Sequence, residues 1–94
     1  MASDATVAWR NCFQRWPDEL PRRGVLVVSF GEQIPFDNFA TSDDLLLVER
    51  RTPDTVGSRT VVVAYSEIQA LKIIEVAKLK SFQALGFSAP PGRK

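Results

Sequence analysis

The sequence predicts a mainly-β fold: a small five-stranded antiparallel barrel with an N-terminal helix and a C-terminal helix. Three observations carry this expectation. Short runs rich in β-branched and aromatic residues recur between residues 24 and 74, each bounded by turn-forming residues. A single apolar stripe at helical spacing precedes them. The length, 94 residues, suits one domain, and no internal repeat divides it.

The first element is a helix over residues 4–16. Ser3 or Asp4 can cap it, because a short side-chain oxygen accepts a free first-turn N–H. Trp9, Cys12, Phe13 and Trp16 fall at i, i+3, i+4 and i+7, while Arg10, Asn11, Gln14 and Arg15 fill most of the other side. Pro17 ends the helix. Two tryptophans on one short helix need an apolar surface to cover, so the helix is expected to lie on a sheet.

After the polar connector "DELPRR", the run "GVLVVSF" reads as the first strand, with a tight hairpin turn at Gly31-Glu32. "QIPFDNF" follows, with Ile34, Phe36 and Phe39 available to the inner side and an irregularity marked by Pro35, which cannot donate to a ladder. "ATSDD" is a turn, "LLLVERR" the third strand, and "TPDTVGS" a loop. "RTVVVAY" is the fourth strand, with Val61, Val63 and Tyr65 on one face and Val62 and Ala64 on the other. Residues 66–85 allow two readings. One is a single helix, started by the capping box Ser66-x-x-Gln69 and stopped at Gly86. The other is a closing strand over residues 68–74 followed by a helix over residues 75–85. The second is preferred, since four strands alone would be left without closure. A flexible tail is expected over residues 88–94.

Composition narrows the chemistry. There are no histidines, which removes the commonest general base and metal ligand. One cysteine, Cys12, forms no internal disulfide and fits a reducing, cytoplasmic setting. No apolar run approaches the roughly 18 residues of a membrane span, and the start shows no secretory leader. Residues 24–58 hold six acids against two bases, and residues 59–94 six bases against two acids. This asymmetry suits self-association or a basic end that meets an anion.

Asp37, Asp43 and Asp44 crowd one stretch, yet their spacing is not that of a calcium loop, and adjacent carboxylates on an extended chain point opposite ways. Asp43 and Asp44 read as turn residues and Asp37 as part of the strand made irregular by Pro35, so no metal site and no cofactor are expected. No nucleophile–base set can be written, so no catalytic residue is assigned and the chain is not expected to be an enzyme. For nucleic acid, the candidate contacts are Arg50, Arg51, Lys78 and Lys80. For self-association, Phe82, Leu85 and Phe87 form a compact apolar end.

The pattern "GVLVVSFGEQIPF…LLLVE…VVVAYSEIQALKI" resembles the Sm-like small β-barrels, over roughly residues 6–74. In that family a glycine follows the first strand, as Gly31 does here, and a late strand turns tightly into the closing strand. The resemblance implies an N-terminal helix, five bent strands and assembly through exposed strand edges. The family's RNA pocket uses an aspartate and an asparagine before the third strand and Arg-Gly in a later loop. Those places here hold Ser42 and Leu46, and Tyr65-Ser66-Glu67. The leading expectation is therefore a non-catalytic module that forms a homo-oligomer. The alternative is an Sm-like RNA-binding protein using the basic C-terminal third.

Overall fold

The computed structural model describes residues 4–88. Helix α1 spans Asp4–Gln14. Five strands follow: β1 (Gly24–Val28), β2 (Gln33–Thr41), β3 (Leu45–Arg50), β4 (Thr60–Ala64) and β5 (Ile68–Lys72). Short 3-10 turns occupy Ser29–Gly31 and Tyr65–Glu67, and a longer 3-10 helix spans Leu79–Leu85. All strand pairs are antiparallel, in the order β4-β3-β2-β1-β5.

That order bends the sheet. β4 and β5 are consecutive in sequence but lie at opposite edges. The four steps from Ala64 to Ile68 reach at most about 14 Å. Four strand spacings in a flat sheet would cover roughly 19 Å. The edges must therefore curl toward one another. They do not pair: among the described residues no ladder joins β4 to β5, so the sheet is not closed into the predicted barrel. The Tyr65–Glu67 turn is held instead from the side, by the Tyr65 N–H donating to the Asp44 carbonyl at 3.2 Å and the Tyr65 hydroxyl donating to the Ser42 carbonyl at 3.1 Å.

One face of the curled sheet is apolar. Leu26, Ile34, Phe36, Phe39, Leu46, Val48, Val63 and Ile68 are buried on it. Burying one such side chain contributes about 1.5–3 kcal/mol. Strict alternation would place Phe36 and Phe39 on opposite faces. A β-bulge resolves this. Phe36 pairs with Arg50 and Asn38 with Glu49, which leaves Asp37 as the extra residue. The bulge resets the alternation, so both phenylalanines turn inward. The sequence marked the irregularity at Pro35, two residues early. Pro35 itself faces Val25 inside the ladder. The hydrogen bond from Val28 N–H to the Glu32 carbonyl sets the phase of the hairpin. In that phase the Val25–Pro35 pair exchanges no hydrogen bonds, so the missing N–H leaves no partner unmet.

The helix covers the apolar face as expected, through an aromatic cluster. Phe13 stacks on Trp16 at 5.7 Å, and both meet Phe39 edge-on, at 5.1 and 5.0 Å. Trp16 lies past the last residue of α1, so the predicted helix over residues 4–16 is two residues too long. Its indole N–H donates to the Leu20 carbonyl at 2.9 Å, which satisfies the polar edge of a buried ring. Arg22 closes the cluster from outside. Its guanidinium sits 3.8 Å from the Phe39 ring centre and donates to the Phe39 carbonyl.

The C-terminal third follows the strand-plus-helix reading with two corrections. The strand ends at Lys72, not at residue 74, and residues 75–78 are not helical. An ion pair between Arg23 and Glu75 ties this extended segment to the start of β1. The helix that follows is 3-10 over Leu79–Leu85, and Gly86 terminates it in the left-handed region at φ 96°. The sequence from residue 89 onward, which holds nearly all of the predicted tail, lies outside the described residues.

Two backbone positions give opposite stability expectations. A Cβ on Gly24 would stand 2.6 Å from the Lys72 carbonyl oxygen, which belongs to a paired strand. Phe30, at the β1–β2 turn, holds φ 67° and ψ 13°, a region costly to a bulky residue, while its side chain is fully exposed. In urea unfolding, Gly24→Ala is expected to lower stability by about 1–3 kcal/mol. Phe30→Gly is expected to raise it by about 1 kcal/mol. Unchanged stability in either variant would contradict the backbone geometry.

Candidate functional site

The four predicted nucleic-acid contacts come from two elements, the end of β3 and the start of the 3-10 helix. Arg50 closes β3, and its side chain turns back to donate to the Thr52 carbonyl at 3.1 Å. Arg51 is exposed beside it. Lys78 and Lys80 flank the start of the 3-10 helix. The loop after Arg51 is ordered by its own acid. The Asp54 carboxylate accepts from the Ser58 N–H at 2.8 Å and the Val56 N–H at 3.0 Å. These backbone hydrogen bonds, that from Ser58 first, hold the Asp54 carboxyl below the usual carboxylate range.

The apolar C-terminal residues divide. Phe82 packs against the core and Leu85 is half-buried, whereas Phe87 remains largely exposed. With Trp9, Cys12 and Leu71 they wall a cavity of about 210 Å³ between α1 and the end of β5. Much of this predicted self-association patch is thus spent within the chain. Burial pushes the Cys12 thiol up, away from the thiolate form that would react.

The backbone of the acidic stretch serves the fold. The Asp43 carbonyl accepts from the Arg10 guanidinium at 3.1 Å, and the Asp44 carbonyl accepts from Tyr65. Ser42 closes the turn through its hydroxyl, which accepts from the Leu45 N–H at 3.1 Å. Among the described residues no three Asp, Glu, Cys or His side chains gather as a metal site would require.

The surface that stands out was not singled out from the sequence. It is the outer edge at β4. Its sequence, TVVVA, has no charge and no proline, and its ladder to β3 runs without a bulge. Beside it, Leu45, Leu47 and Val62 are exposed on the outer face of the sheet. They line a shallow depression of about 310 Å³ with Ala40, Thr41 and Ser42. The other edge is different. β5 carries an extra residue, Gln69, where its register with β1 shifts, and it ends in Lys72. A bulge and a lysine are devices that discourage further pairing; β4 has neither.

The signal for this edge lay in the uncharged run "TVVVA", but that run reads equally well as an interior strand. Only the sheet order separates the two. As for acid dependence, the Asp54 hydrogen bonds stabilise the loop fully above the unfolded carboxyl pKa, and that contribution is lost as pH falls through the lowered folded value. A carboxyl titration followed by NMR is expected to place the Asp54 midpoint below the usual aspartate value. An ordinary midpoint would contradict the two backbone hydrogen bonds.

Among the described residues no helix is long and apolar enough to cross a membrane. Comparison with family models, with curated proteins and with solved structures returned no match.

Proposed function

We propose that this protein is a non-catalytic β module that self-associates into a homo-oligomer through the open edge of its sheet. The observation that carries this reading is β4 itself. An outer strand presents a row of backbone N–H and C=O groups that want partners. Here that row belongs to an uncharged, proline-free, β-branched strand with an exposed apolar strip beside it.

The resemblance to Sm-like small barrels agrees with this use of an edge. A helix precedes five antiparallel strands, and the tight Tyr65–Glu67 turn leads straight into β5. The lone, half-buried thiol of Cys12 suits a reducing compartment such as the cytoplasm. The RNA alternative has less support, because the places of the family's RNA-pocket aspartate and asparagine hold Ser42 and Leu46 here.

Light scattering of the full chain at two well-separated concentrations tests the reading. The apparent mass is expected to exceed that of one chain and to hold or rise with concentration. A strict monomer at the higher concentration would contradict it.

A further inference from the structure

The direction of every backbone group on β4 follows from two hydrogen bonds at its ends. The Arg50 N–H donates to the Arg59 carbonyl, and the Tyr65 N–H donates to the Asp44 carbonyl. Between them the β3–β4 register is continuous: Glu49 faces Thr60, Val48 faces Val61, Leu47 faces Val62, and so on to Leu45 and Ala64. In an antiparallel ladder, hydrogen-bonded and non-bonded pairs alternate. Arg59, Val61, Val63 and Tyr65 therefore bond inward to β3 and its flanks. The N–H and C=O groups of Thr60, Val62 and Ala64 point to the open edge.

This spacing is self-complementary. We propose that β4 pairs antiparallel with β4 of a second copy of this chain, about a two-fold axis at Val62. The inference rests on the self-association reading and names its partner strand. At the axis, Val62 of each copy donates to and accepts from Val62 of the other. On either side, the Ala64 N–H meets the Thr60 carbonyl of the opposing strand. No other centre within β4 pairs all three outward residues at once. The two sheets become one continuous sheet, and an isologous contact of this kind closes without leaving a further copy of the edge to propagate.

Side chains and charges agree with the axis. Val62 is 58% exposed on the outer face, and Leu47 lies directly behind it in the ladder. Pairing at Val62 brings the two Leu45–Leu47–Val62 strips side by side, so each covers part of the other. β4 has no charge to bring against its own image. Arg59 sits at one end of the strand, so the two copies of Arg59 fall at opposite ends of the ribbon, each near Tyr65 of the other chain. β5 is the weaker partner for β4, because the extra Gln69 interrupts its ladder and Lys72 ends it.

The test uses two variants of the full chain. In a Cys12→Ser background, Val62→Cys places one thiol on the axis. Hydrogen-bonded antiparallel neighbours have Cα atoms about 5.5 Å apart, within the roughly 4.4–6.8 Å that a disulfide spans. Mild oxidation is expected to give a covalent dimer on a non-reducing gel. Val62→Lys, on the same exposed position, sets two like charges against each other. It is expected to run as a folded monomer, with unchanged circular dichroism, at concentrations where the unmodified chain associates. An oligomer in which Val62→Cys does not cross-link would overturn the two-fold pairing and leave self-association standing. So would a disulfide that forms only when the Val62→Cys chain is mixed with a Cys12→Ser, Ala70→Cys chain, since that reports β4 against β5. A strict monomer of the unmodified chain would remove both.

Discussion

The connection from β4 to β5 constrains everything else in the fold. Three residues in a 3-10 turn join the two outermost strands of a five-stranded sheet. A flat sheet of that width is too broad for the connection, so the sheet curls. Curling gathers the inward side chains of all five strands into one core and leaves a mouth that α1 covers. It also brings the two edges toward each other without pairing them. The Tyr65–Glu67 turn is fixed by the Ser42–Asp44 turn, to which both the backbone and the hydroxyl of Tyr65 are bonded. Tyr65 is fully buried, and burial pushes its hydroxyl away from ionisation, so this bond persists across ordinary pH.

The mouth is closed by aromatic rings. Phe39 lies at the centre, with Phe13, Trp16 and Phe36 around it and the Arg22 guanidinium over its face. It can be there only because the Asp37 bulge turns it inward. A one-residue slip in a strand exchanges its two faces, so without the bulge Phe39 would point to solvent and Phe13 and Trp16 would lose the ring they meet edge-on. Local irregularity in β2 thus supplies one of the helix's anchors, beside its packing on the Tyr65–Glu67 turn and the Arg10 bond to the Asp43 carbonyl. The same packing leaves a cavity lined by Trp9, Cys12, Trp16 and Phe82, beside that ring cluster.

Much of this was legible in the sequence. The stripe Trp9, Cys12, Phe13, Trp16 identified the covering helix because its period is helical and Pro17 ends it. The strand at residues 68–72 prevailed over the helix that Ala70 and Leu71 favour locally, since Ile68 and Leu71 gain partners on β1 that a helix would not give them. The bulge was misplaced because Pro35 is the visible irregular residue, whereas Asp37 carries no mark. The C-terminal helix was expected to be longer, because pattern alone does not reveal that Arg23 pairs with Glu75 and holds that segment extended. The candidate site was far less legible. Phe82 of the apolar end packs on the chain's own core, and the open edge of β4 depends on strand order, which no local run encodes.

The open edge of β4 is tested most directly by amide hydrogen exchange, read residue by residue at low and high protein concentration. In dilute solution the Val61 and Val63 amides, bonded to β3, are expected to exchange slowly, while Val62 and Ala64 exchange freely. On concentration, Val62 and Ala64 are expected to slow toward their neighbours. A Val62 amide protected where light scattering reports a single chain, or one that exchanges freely at every concentration, would contradict an edge that waits for a second chain.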